Sequence, residues 1–147
     1  MAIGSYIENF DMKYPKLKIL NLEENDITDM VIDNCPELEY LNLASNCLHS
    51  LKITNCPNLV VLDLFNNNLT KLSKLPESLK ILWCHNNNLS KLPELPKSLK
   101  ILYCYNNKLT ELPELPKSLK ELFCFNNNLP YDNLKSYWKW FWKENPD

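Results

Sequence analysis

From Leu17 to Leu129 the apolar positions fall into six rows that begin at Leu17, Leu38, Leu59, Leu79, Leu99 and Leu119, twenty or twenty-one residues apart. The rows open LKILNLEENDI, LEYLNLASNCL, LVVLDLFNNNL, LKILWCHNNNL, LKILYCYNNKL and LKELFCFNNNL, and all fit L-x-x-L-x-(L/C)-x-x-N-x-(L/I). The x-L-x-L portion alternates with the period of a β-strand, so each row predicts one short strand. Strands repeated at fixed spacing pair in parallel about 4.8 Å apart, and six of them make a stack of roughly 25 to 30 Å. Positions one, four, six and eleven point inward, where leucines of neighbouring rows meet. Position nine holds Asn25, Asn46, Asn67, Asn87, Asn107 and Asn127, where the chain turns out of the strand. A short side chain with donors and an acceptor satisfies backbone groups there that no strand partner reaches, so this asparagine ladder reads as structural.

The segments returning to the next strand come in two kinds. After rows one and two they read DNCPEL and TNCPNL, with Cys35 and Cys56 in matching places. After rows three to five they read KLSKLPESLK, KLPELPKSLK and ELPELPKSLK. The paired prolines Pro93 with Pro96 and Pro113 with Pro116 fix φ and remove donors, which favours an extended, polyproline-like arm or a short 3-10 turn over a helix. Row three has Pro76 alone, with Ser73 where the first proline would sit.

The frame and its period are those of the leucine-rich repeat, and the chain resembles that family over residues 17–129. The resemblance implies a solenoid with a curved parallel β-sheet on its concave side and the arms on its convex side. The L-P-x-L-P-x-x-L arms resemble those of secreted effectors of pathogenic bacteria. The N-C-P arms are similar to repeats of other bacteria and of large DNA viruses that infect amoebae. With the chain ending at Asp147, the catalytic domain of the ligase-type effectors has no room, and no ubiquitin-ligase activity is expected.

The whole chain, 1–147, reads as one solenoid domain. Residues 1–16, with Ile3, Tyr6, Ile7 and Phe10, are expected to be an N-terminal cap, and Tyr14–Pro15 stands where Cys35–Pro36 stands one row later. Residues 130–147 predict a helical C-terminal cap. Leu134, Tyr137, Trp138 and Phe141 follow the i, i+3, i+4, i+7 spacing of a packing face, Asp132 is the expected N-cap and Pro146 the stop.

Composition narrows the chemistry. One glycine, no arginine and two histidines leave no phosphate-cradling loop, no bidentate fork and little material for acid–base catalysis. The N-terminus has no basic-then-apolar signal pattern, and no apolar run approaches the roughly 20 residues of a bilayer span. A net charge of −2 argues against nucleic acid or an anionic membrane as partner, and neither is expected. Of six cysteines, Cys84, Cys104 and Cys124 replace the inward leucines of position six, and a straight column of thiols cannot surround a tetrahedral metal. Cys84 and His85 are adjacent on one strand and point to opposite faces, so they make no catalytic dyad. Cys47, beside the ladder, is the expected reactive thiol. Unpaired thiols in this number suit a reducing compartment such as the cytoplasm, including that of a host cell. No enzyme, cofactor or metal site is expected.

The outward positions carry the candidate site. Position five reads Asn21, Asn42, Asp63, Trp83, Tyr103, Phe123; position seven reads Glu23, Ala44, Phe65, His85, Tyr105, Phe125. Position three adds Ile19, Tyr40, Val61, Ile81 and Ile101 before ending in Glu121, and Lys80, Lys100 and Lys120 flank the surface at position two. An outward face of rings and aliphatic side chains marks an interaction surface. The alternative is a ladder of rings that only braces neighbouring strands. Lysines beside rings also suit single-stranded nucleic acid, but the acidic balance, the lack of arginine and Glu121 inside the patch oppose it. The expected function is therefore non-enzymatic binding of a protein partner through Phe65, Ile81, Trp83, His85, Ile101, Tyr103, Tyr105, Phe123 and Phe125, or self-association into a homodimer through this face or an open sheet edge.

Overall fold

The computed structural model describes residues 15–146. In each row the strand occupies frame positions three to five: β1 (Ile19–Asn21), β3 (Tyr40–Asn42), β5 (Val61–Asp63), β6 (Ile81–Trp83), β7 (Ile101–Tyr103) and β8 (Glu121–Phe123). These six form one parallel sheet in chain order, with Leu20, Leu41, Leu62, Leu82, Leu102 and Leu122 in a single register line. That line and the leucines of position one from Leu38 onward are buried in one continuous core. Each row adds its inward side chains to those of its neighbours, and this shared core stabilises strands of three residues that have no independent stability.

The convex side departs from expectation at its first two arms. These contain β2 (Asp29–Asp33) and β4 (Ser50–Thr54), which pair in parallel over five residues as a second sheet. Met30, Ile32 and Ile53 point into the core while Asp29, Asp33, Ser50 and Lys52 face out, a period-two pattern with β-branched residues and no proline. After rows three to five the proline arms form neither strand nor 3-10 helix and run extended to a turn, as the missing donors require. The serine ahead of each next row ties these arms together. Ser78, Ser98 and Ser118 donate to the carbonyls of Leu59, Leu79 and Leu99 at 2.6 to 2.7 Å.

The asparagine ladder crosses between rows. Asn46, Asn67, Asn87, Asn107 and Asn127 each accept from the position-eleven N–H of the preceding row, at 2.9 to 3.1 Å. Each also donates to the position-six carbonyl of that row at 2.9 to 3.0 Å. Among the described residues, Asn25 donates to the Leu22 and Glu23 carbonyls, and it is exposed. The residue before each ladder asparagine takes positive φ, from 52° to 56°, at Glu24, Ser45, Asn66, Asn86, Asn106 and Asn126. Asparagine tolerates that region and makes four of the six turns in a chain with a single glycine, whereas Glu24 and Ser45 take it in the first two rows. Asn34 and Asn55, the asparagines of the two N-C-P arms, do the same at φ 54°.

The last strand is closed by the segment that follows it. The Cys124 N–H donates at 2.8 Å to the Asp132 carbonyl, where the corresponding N–H of earlier rows meets the next strand. Phe123 and Asn133 add an antiparallel bridge. The helix α1 (Leu134–Glu144) is capped by Asn133, not Asp132, through a reciprocal pair with Ser136 at 3.0 and 3.1 Å. Asp132 has its backbone committed to Cys124 and cannot take that place. Tyr137 is buried and Leu134, Trp140 and Phe141 pack on the core, whereas Trp138, expected on the packing face, is exposed. The expected N-terminal cap falls almost wholly on residues 1–14, outside the described residues.

Candidate functional site

The pleat of the six short strands sends positions three, five and seven to the side away from the leucine core, so the nine candidate residues share one sheet face. They stand in adjoining columns. At position seven the rings of Phe65, His85, Tyr105 and Phe125 stack in sequence, with centroids 4.5, 4.4 and 4.4 Å apart. At position five Trp83, Tyr103 and Phe123 follow at 6.4 and 5.0 Å. The columns touch through His85 with Tyr103 and Phe123 with Phe125, at 6.1 and 6.5 Å. Ile81 and Ile101 are register partners beside them.

Stacking shields most of these rings. Phe65, Ile81, Trp83, His85, Ile101, Tyr103 and Tyr105 are half-buried, and Phe123 at 39% and Phe125 at 37% are exposed. The ladder thus braces its middle and opens at row six. Among the described residues, Trp83 Nε1 and His85 Nδ1 are buried without a hydrogen-bond partner. Burial also pushes the His85 pKa down from its ordinary 6.5.

The polar groups of the face have internal duties. Glu121 accepts the Tyr103 hydroxyl at 2.6 Å, and that carboxylate pushes the phenol up to about 12. In rows one to three the position-five side chains of Asn21, Asn42 and Asp63 accept the N–H two residues on, at 2.9 to 3.0 Å. From row four onward that position changes to a ring. Burial, reinforced by Glu23, raises the Asp63 pKa. The side-chain bonds of Asn86, Asn106 and Asn126, a second asparagine ladder at 2.7 Å, border the ring column and were hidden in the N-N-N and N-N-K runs.

The six cysteines form no disulfide. Cys84, Cys104 and Cys124 are fully buried at position six, and burial pushes Cys84 and Cys124 up to about 12. Cys35 and Cys56 are buried in the convex corners, with Cys35 pushed up to about 11. Cys47 alone of the six is half-exposed. Among the described residues no three histidine, cysteine or acidic side chains are grouped to hold a metal ion, and no helix is long and apolar enough to cross a membrane.

The sequence matches the family described as Leucine Rich repeats (2 copies) in overlapping segments, residues 36–77, 57–97 and 77–117. Among solved structures, the chain is similar to YopM from Yersinia enterocolitica WA-314, with 38% identity and a TM-score of 0.72 over 77% of this chain and 25% of that one. It is likewise similar to YopM of Yersinia pestis, a leucine-rich effector protein, with 39% identity and a TM-score of 0.74 over 79% of this chain and 33% of that one. The chain therefore spans a quarter to a third of those proteins. No curated protein matches it.

Proposed function

The chain belongs to the leucine-rich repeat family, and on that premise we propose that it is a non-enzymatic protein–protein interaction module. Its binding surface is the outer, concave face of the six-stranded sheet. One observation carries the reading: the two ring columns end exposed at Phe123 and Phe125, on a face where a solvated strand needs polar side chains. The stacked interior of the ladder holds those rings in one arrangement before a partner arrives, which lowers the ordering cost of association. The similarity to an effector protein supports a partner in a host cell, and six cysteines without a disulfide support a reducing compartment there.

The test compares the wild type with Phe123→Thr/Phe125→Thr, which removes the exposed end and leaves Phe65, His85 and Tyr105 stacked. Affinity capture from host-cell lysate should fall at least about tenfold, or about 1.4 kcal/mol. Sedimentation over a range of concentrations separates a foreign partner from self-association, since a homodimer through this face is wild-type dimer and variant monomer. A variant that captures the same proteins as the wild type and has the same mass overturns the reading.

A further inference from the structure

The side of α1 turned away from the core has a different chemistry from the sheet face. Lys135, Trp138, Lys139, Trp142 and Lys143, at three- and four-residue spacing, occupy one side of the helix, and all five are exposed. Trp138 is 39% exposed and Trp142 60%, and their rings lie one turn apart, stacked at 6.4 Å. Their inner edges rest on Tyr137 and Phe141, Trp138 at 5.1 and 5.7 Å and Trp142 on Phe141 at 5.4 Å, while Tyr137, Trp140 and Phe141 are the rings that reach the core. Among the described residues these lysines make no ion pair; the pairs there are Lys18–Glu39 and Lys74–Glu77. Glu144 is the one acidic residue of the helix.

The arrangement selects the kind of partner. The net charge of −2 that argues against an anionic surface averages over the whole chain, whereas this side holds three cations and no acid. An indole has an apolar body and one donor, and it settles at the boundary between headgroups and acyl chains. Lysine lays its stem along apolar surface and carries its charge to the phosphate level. A row of tryptophans beside a row of lysines on one helix is the composition of an element lying in the plane of a membrane interface. Single-stranded nucleic acid also takes rings and lysines, but the facing sides of Trp138 and Trp142 are turned to each other and the chain has no arginine to stack beside a base. We propose that the exposed side of α1 docks on an anionic lipid bilayer, with Trp138 and Trp142 at the headgroup level and Lys135, Lys139 and Lys143 on the lipid phosphates. The surface shares no residue with the ring columns, so the two sites are separable by mutation.

Vesicle co-sedimentation of the full chain tests this, with phosphatidylcholine alone and with added phosphatidylserine. Binding should favour the anionic vesicles at least about tenfold, weaken with salt, and be reversible, as for a single shallow helix. Lys135→Gln/Lys139→Gln/Lys143→Gln, which keeps helix propensity and every packed ring, should lose at least about tenfold, near fivefold for each lysine. Trp138→Gln/Trp142→Gln should abolish the blue shift of tryptophan emission that accompanies binding. Phe123→Thr/Phe125→Thr should bind vesicles like the wild type. Equal binding to both vesicle types, or a lysine variant that binds like the wild type, overturns the proposal. So does a chain that ignores vesicles and instead binds a single-stranded oligonucleotide, or forms a dimer that Trp138→Gln/Trp142→Gln abolishes.

Discussion

The imidazole of His85 lies against the ring of Tyr105 at 4.4 Å, tilted by 28°, and the same contact recurs on its other face with Phe65 at 4.5 Å. A titratable ring therefore occupies the middle of an otherwise uncharged stack, and among the described residues its Nδ1 is buried without a partner. Burial disfavours the imidazolium and lowers the His85 pKa.

The sign of the resulting pH effect is fixed. A folded-state histidine pKa below the unfolded value means that the unfolded chain binds more protons in that window. Stability then falls as pH drops below about 6.5 toward the depressed folded value. The melting midpoint should decrease between neutral pH and pH about 5.5, and His85→Phe, which keeps the stack, should flatten that decrease. Asp63, whose pKa is raised, titrates with the opposite sign, so the difference between wild type and variant is the quantity to read. An identical slope in both proteins contradicts the assignment.

The asparagine ladder predicts a graded cost. Asn67→Ala leaves the buried Leu48 N–H without its 2.9 Å acceptor and takes one of two donors from the Leu43 carbonyl, which keeps Asn46 at 3.1 Å. One buried donor left unsatisfied costs about 1 to 3 kcal/mol. Asn25→Ala, at the same frame position but exposed and, among the described residues, bonded to the nearby Leu22 and Glu23 carbonyls, should cost less than about 1 kcal/mol. Chemical denaturation of the two variants measures the difference, and equal costs would remove the cross-row role of the ladder.

The six strands lie at frame positions three to five in every row, because a twenty-residue period with inward leucines admits one register. The ring columns are legible for the same reason: period two alone puts Trp83 and His85 on one face. Their degree of burial is not, because it depends on ring tilt and on the stacking of Phe65, His85 and Tyr105, which sequence spacing does not specify. The β2–β4 sheet escapes because the N-C-P signature draws the reading to its turn, while Met30, Ile32 and Ile53 carry the strand pattern ahead of it. Asp132 and Asn133 are equally good caps by residue type, and only the bond from Cys124 to the Asp132 carbonyl separates them. Trp138 and Trp140 differ by two residues on a helix rich in rings, and the position of the last repeat decides which is covered.

The thiols should react in a definite order. Cys47 is half-exposed, whereas the other five are buried and have raised pKa values, which suppresses the reactive thiolate. Native protein treated with a disulfide-exchange reagent at mildly alkaline pH should label rapidly at Cys47 alone. After unfolding without reductant, all six should titrate. Fewer than six thiols in fresh protein, or rapid native labelling of the Cys84–Cys104–Cys124 column, contradicts the packing described.

The segment after Pro130 should act as a structural cap, and truncation tests this directly. Removing residues 131–147 takes away the acceptor of the Cys124 N–H, the Phe123–Asn133 bridge, and the T-shaped pair of Tyr131 and Tyr137 at 5.0 Å. Full burial of a large apolar side chain contributes about 1.5 to 3 kcal/mol. The loss of Tyr131 and Tyr137 alone is then about 3 to 6 kcal/mol, against about 5 to 15 kcal/mol for a whole domain. The truncated chain should aggregate or lose its cooperative transition, because Leu122 and Cys124 meet water beside an open strand edge. Two point variants grade the effect. Asn133→Ala removes the helix cap alone and should cost about 0.5 to 2 kcal/mol, whereas Tyr137→Ala opens a cavity under the helix and should cost about 3 to 5 kcal/mol. If the truncated chain instead unfolds at the full-length midpoint, α1 contributes nothing to closing the core and its only remaining role is at its exposed lysine and tryptophan side.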